Sequence, residues 1–175
     1  MDHASYSDEY LRAILQRVKC FAMVGASTDW NKPSYFAMKY LQKKGYRVIP
    51  VNPKAAEAGE EILGERAYPD LKSVPGRFDM VDVFRNSAAA GPITDEAIAL
   101  APEKGIGVVW MQLGVSNPEA AARAEAAGLQ VVMNRCPKIE YGRLFGELSW
   151  GGFNSGIISS KRRPVRRPVA GGNDA

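Results

Sequence analysis

The stretch Cys20-Phe21-Ala22-Met23-Val24-Gly25-Ala26-Ser27-Thr28 decides the fold. Five residues without polar alternation read as a strand buried on both faces, the pattern of parallel strands covered by helices. Gly25 then permits a sharp turn that a side chain would obstruct. Beyond a polar loop, Pro33 stands at the first position of a predicted helix carrying Phe36, Met38, Tyr40 and Leu41, and Gly45 ends it. This is one strand–helix unit, and the same alternation continues to either side.

Upstream, Leu11, Ile14, Leu15 and Val18 recur at helical spacing, which predicts an amphipathic helix over residues 8–18. Downstream, residues 46–51 read as a second strand, broken at Asn52-Pro53 because proline supplies no ladder donor. Residues 54–65 carry no clear period, and Arg66-Ala67-Tyr68 reads as a short edge strand before Pro69. Alternation then resumes with a strand over 80–84, a helix from about Ala89 to Lys104 and a strand over 107–111. Asn117 caps the next helix, with Pro118 at its first position and Gly128 at its end, and residues 130–133 form a further strand. This rhythm predicts an α/β, Rossmann-like, doubly wound fold: a mainly parallel sheet of five to six strands with helices on both faces. Residues 8–148 make one domain, 149–160 a C-terminal extension, and the Pro/Gly/Arg-rich residues 161–175 a disordered tail.

Composition narrows the function classes. The net charge of +4 resides entirely in the tail, where Lys161, Arg162, Arg163, Arg166 and Arg167 face only Asp174. The folded part is therefore neutral, and the tail lacks the interleaved aromatics of a single-strand binder, so no nucleic-acid partner is expected. Apolar runs such as Val108-Val109-Trp110-Met111 are too short to span a bilayer, and the N-terminus lacks the basic start and apolar core of a secretory signal. The expected location is the cytoplasm, with no membrane partner. Cys20 and Cys136 are too few for a disulfide framework and lack the neighbours of a zinc site, so no metal is expected.

In a doubly wound sheet the ligand lies beyond the carboxyl ends of the strands, where strand order reverses. Four ends should converge there: Gly25-Ala26-Ser27-Thr28, Val51-Asn52-Pro53-Lys54, Phe84-Arg85-Asn86-Ser87 and Gln112-Leu113-Gly114. Backbone amides and hydroxyls at Ser27 and Thr28, near a helix N-terminus, suit a pyrophosphate. Lys32, Lys54 and Arg85 are candidates for charged contacts to phosphates, and Arg85 ranks first because it follows a buried strand directly. Two absences disfavour NAD. The dinucleotide fingerprint wants three glycines and only Gly25 is present, and the acidic residue that would hold the ribose is replaced by Asn52. No Gly-Lys-Ser/Thr phosphate loop occurs either.

At these residues the chain resembles the stand-alone CoA-binding protein family, whose domain is related to the CoA-binding domain of the succinyl-CoA synthetase α subunit. The resemblance rests on Val24-Gly25-Ala26-Ser27, Pro33-Ser34-Tyr35, the run from Val48 to Lys54, the run from Asp79 to Asn86, Trp110-Met111-Gln112-Leu113-Gly114-Val115, and the run from Val131 to Pro137. It implies coenzyme A or an acyl-CoA as ligand, the ADP part over the first two strand ends and the pantetheine arm towards the later ones. It also adds Pro33, Ser34, Met111, Asn134 and Arg135 to the candidate binding residues.

Catalytic residues are not apparent. The only histidine, His3, is expected in a frayed terminus where nothing would hold it as a base. Cys136 follows Arg135, a neighbour able to lower a thiol pKa, although a small packed residue in a turn is the blander reading. Glu140 and Glu147 are isolated carboxylates without an inferable partner. The expectation is a binding module with a carrier, sensor or regulatory role. A CoA-linked enzyme subunit, a redox protein using Cys136 and an NAD(P)-dependent oxidoreductase are the alternatives. Gly25→Val is expected to impair ligand binding without unfolding the protein.

Overall fold

A computed structural model describes residues 2–146; the extension, the tail and Glu147 lie outside the described residues. The chain runs through α1 (Asp8–Arg17), β1 (Cys20–Val24), α2 (Pro33–Lys43), β2 (Arg47–Val51) and α3 (Pro53–Glu57). A small hairpin of β3 (Glu61–Ile62) and β4 (Glu65–Arg66) follows. Then come β5 (Met80–Val83), α4 (Ser87–Lys104), β6 (Val108–Met111), α5 (Pro118–Ala126), β7 (Gln130–Val132) and α6 (Pro137–Leu144). The main sheet has five strands in the order β2-β1-β5-β6-β7, all parallel. The doubly wound expectation holds, and the order reverses between β1 and β5.

Strand alternation divides the core into two. Phe21, Met23, Met80, Val108 and Trp110 face α1, α2 and α6, where Leu11, Ile14, Leu15, Met38 and Leu41 are buried against them. Ala22, Ile49, Val81, Val109 and Met111 face α4 and α5, whose Ala90, Ala97, Ala120, Ala121 and Ala124 let the helices lie close on the sheet. Among the described residues no helix is long and apolar enough to cross a membrane.

Three local expectations are corrected. Residues 54–66 fold as α3 and the β3–β4 hairpin, turned at Leu63 and Gly64, both with positive φ. The edge strand read over 66–68 divides: Arg66 joins β4, and Tyr68 keeps one bridge, accepting from Asn52 N–H at 2.8 Å and donating to Pro50 C=O at 3.0 Å. Residues 137–144, where no helix was read, form α6; Cys136 gives it no side-chain cap, so the usual entry mark is missing and Pro137 is the one cue.

The N-terminus, expected to fray, is tied down. Met133 N–H donates to Tyr6 Oη at 2.7 Å, so the Tyr6 hydroxyl is left to donate to His3 Nδ1 at 2.8 Å. His3 Nε2 lies 3.5 Å from Glu125, and the Arg135 guanidinium sits over the Tyr6 ring. Tyr6→Phe should cost about 1–2 kcal/mol because it orphans the Met133 amide. A urea midpoint unchanged from wild type would show that water satisfies that amide instead.

Candidate ligand-binding site

The turn after β1 is held from both sides. Gly25 N–H donates to Val51 C=O at 2.9 Å, which ties the ends of β1 and β2 together. Its φ is +91°, and a Cβ there would stand 2.4 Å from Phe84 O and 3.0 Å from Arg85 Cδ. The glycine is thus demanded by the fold itself, and it leaves bare backbone at the point where strand order reverses. Asn52 completes the junction: Nδ2 donates to Ala26 C=O at 2.7 Å, and Oδ1 accepts from Lys54 and Ala55 N–H at 3.0 and 3.3 Å. With both amide atoms engaged, Asn52 has little left for a ribose.

Around this junction opens a crevice of about 350 Å³. Of the residues singled out from the sequence it brings together Gly25, Val51, Asn52, Pro53 and Arg85. Its other wall was not foreseen: Pro69, Asp70 and Leu71 on one side, and Ala89, Pro92, Ile93 and Glu96 of α4 on the other. The spacing of 89, 92, 93 and 96 marks one helical face, a cue available in the sequence once α4 is known to flank the reversal point. A second hollow of about 430 Å³, with Arg66 and Tyr68 in its wall, adjoins the first across Pro53 and Pro69.

Charge in the crevice is unevenly placed. Arg85 is exposed and has no ion-pair partner among the described residues. At the far side Asp70 accepts from Ser73 N–H at 2.7 Å, and hydrogen bonds from Ser73 hold its carboxyl below the ordinary range. Glu96 accepts from Lys72 N–H at 3.3 Å. An anion would therefore settle at the Arg85 end.

The remaining candidates divide into available and engaged groups. Thr28, Lys32, Pro33, Lys54 and Leu113 are exposed. Lys32 gives α2 no side-chain cap, so that helix start differs from α3 and α4, which Asn52 and Asn86 cap. Ser27 Oγ accepts from Asp29 N–H at 3.1 Å, and Ser34 is buried in the first turn of α2. Phe84 packs on the α1/α2/α6 core, whereas Met111 is wholly buried on the opposite face. Asn134, at φ +52°, accepts from Gly114 N–H at 2.8 Å and closes its own loop. Arg135 lies 3.8 Å from Glu140 and donates to Asn134 C=O at 2.9 Å, so it is spent on structure.

Glu140 is likewise no isolated carboxylate, since Arg143 donates to its Oε2 twice, at 2.8 and 3.0 Å. Nor does Arg135 activate Cys136: burial is the largest influence on that thiol and pushes its pKa up. The packed-residue reading is the one the geometry supports, with Cys136 at the entrance to α6 rather than in a free turn.

Residues 19–142 match the family model described as a CoA binding domain. The chain belongs to this CoA-binding family. Its curated relatives include an uncharacterized protein, YneT, of Bacillus subtilis, 36% identical over 131 residues, covering 75% of this chain and 91% of YneT. The α subunit of an ADP-forming acetate–CoA ligase of Pyrococcus furiosus is 28% identical over 116 residues, which are 65% of this chain but 24% of that subunit. Among solved structures, a hypothetical protein from Pyrococcus horikoshii is 39% identical with a TM-score of 0.73, over 81% of this chain and 94% of the other. A protein from Thermus thermophilus is 38% identical with a TM-score of 0.73, covering 80% of this chain and all of its own.

Proposed function

We propose that this CoA-binding family member holds coenzyme A, or an acyl-CoA, non-covalently across the β1–β5 reversal point. The ADP moiety lies over the ends of β1 and β2, and the pantetheine arm runs towards β5 and β6. One observation carries the reading: the crevice opens on bare backbone at Gly25 beside the unpaired Arg85 guanidinium, within the segment that matches the family. The uncapped start of α2 at Lys32 supports an anion nearby. Asn52, committed to Ala26 and to α3, argues against a dinucleotide whose ribose needs a free acceptor there. The buried Cys136 thiol favours a binding role, as carrier, sensor or regulator, over thiolate chemistry.

Isothermal titration against CoA and NAD tests this reading. Heat with CoA and none with NAD is the expected outcome, and the reverse would remove it. Arg85→Ala should weaken CoA binding by about 1.5–3 kcal/mol, the range for a hydrogen bond to a charged group. Unchanged affinity would place the phosphates elsewhere.

A second reading, a CoA-linked enzyme subunit, draws on the similarity to the acetate–CoA ligase α subunit. A stable ATP-grasp chain copurifying with the protein would favour it.

A further inference from the structure

Beneath the strand ends lies a buried carboxylate with no cation beside it among the described residues. Asp82, in the interior of β5, is fully buried, and its sheet neighbours are Met23 and Trp110. Both its oxygens lean on one amide nitrogen: Gln112 Nε2 stands 2.9 Å from Oδ1 and 3.2 Å from Oδ2. Gln112 directly follows β6 and is only 5% exposed; it lies on the α2/α6 face of the sheet, outside the lining of the crevice at Arg85.

Its other amide atom, Oε1, has no hydrogen-bond partner among the described residues. Among the described residues no fully buried side-chain oxygen or nitrogen is left unpaired, so Oε1 is the atom through which Gln112 reaches the surface. Ser34, 4% exposed in the first turn of α2 on the same sheet face, is likewise without a hydrogen-bond partner among the described residues. Two nearly buried polar groups are thus left open on this face of the sheet.

The Asp82–Gln112 pair has two arrangements. An ionised carboxylate only accepts, so Gln112 must turn its N–H inward and its carbonyl outward. A protonated Asp82 donates its O–H to Oε1, the amide turns over, and the NH₂ faces outward. We propose that the proton on Asp82 sets whether Gln112 presents an acceptor or a donor at the end of β6, and so selects which group of the ligand's arm lies there. The acceptor state suits a free thiol or an amide N–H, and the donor state suits a thioester carbonyl. This rests on the coenzyme A reading above, and Asp82 is a positioning residue that acts through Gln112.

Burial raises the Asp82 pKa to about 7, partly opposed by the Gln112 hydrogen bond. At the N-cap of α6, Cys136 bears on Asp82, and Lys138 bears on Cys136 in turn. Beyond Cys136 lies Tyr40 of α2. Burial pushes both the Cys136 thiol and the Tyr40 phenol upward, so both stay neutral while Asp82 titrates.

The test uses the full chain. The Asp82 carboxyl carbon and the Gln112 side-chain amide are followed by NMR from about pH 5.5 to about pH 8.5, a window that brackets the titration. Both signals should move with one midpoint, and Asp82→Asn should abolish the Gln112 transition. In parallel, CoA and acetyl-CoA are titrated calorimetrically at both ends of the window. The ratio of their affinities should shift towards the free thiol at high pH by about threefold or more in wild type, as for one hydrogen bond, and stay flat in Asp82→Asn. The phosphomonoester that titrates near pH 6 is common to both ligands and cancels in the ratio. A Gln112 amide unmoved by the Asp82 titration, or a flat wild-type ratio, overturns the proposal. If neither ligand binds at either pH, the coenzyme A reading falls, and the NMR result alone upholds or removes the switch.

Discussion

Gly25→Val should unfold a large fraction of the protein's stability rather than merely block a ligand. Two costs coincide at this residue. A side chain at φ +91° is strained by roughly 1–3 kcal/mol. Its Cβ would also stand 2.4 Å from the carbonyl oxygen of Phe84, a backbone atom that cannot swing aside as a side chain does. Phe84 is itself fixed, because its N–H donates to Val24 C=O at 2.8 Å across the β1–β5 seam. Relief would require prising apart the strands that carry the site. A total loss of about 3–5 kcal/mol follows, a large share of the 5–15 kcal/mol typical of a domain. The structure thereby revises the expectation that this substitution spares the fold. A chemical-denaturation midpoint within error of wild type would mean that the turn can take up another conformation.

The second large effect is a pH dependence of stability centred on Asp82. Its pKa rises from 3.8 to about 7, chiefly through burial. Between those values the folded state holds a proton that the unfolded chain has released. The folded protein therefore loses stability as pH rises through that window, and the loss is complete above about pH 7. The rise corresponds to roughly 4 kcal/mol. Asp82→Asn removes the ionisation, so the variant should gain on wild type by an amount of that order at about pH 8 and much less at about pH 5. Urea unfolding of both proteins at the two pH values checks this. A difference between them that does not change with pH would remove Asp82 as its source.

Much of the site was legible because it is built from short-range geometry. Gly25 after the five apolar residues of β1, Asn52-Pro53 after β2 and Arg85 after β5 each announce a strand end, and these converge on the crevice. The caps of α5, Asn117 at the start and Gly128 beyond the end, were equally plain, since capping is decided within a few residues. Where local marks fail, the reading failed too. Cys136 gives α6 no side-chain cap, and nothing within residues 54–66 reveals that Leu63 and Gly64 turn a hairpin. Arg135 and Asn134 looked available because their partners, Glu140 and Gly114, are set by how a helix and a loop return to the sheet.

By itself the sequence determined the alternation of strands and helices, the parallel sheet and the strand ends that meet where its order reverses. Those follow from hydrophobic period and from glycine and proline, whose effects act over a few bonds. Only the tertiary structure decided which polar groups remain free. It joined Asp82 to Gln112 across 30 residues of chain, spent Asn52 on Ala26, left Arg85 without an ion-pair partner among the described residues and set Gly25 against Phe84. A side chain's availability depends on burial and on the partners that packing brings, and contacts between distant segments carry no mark in either one alone.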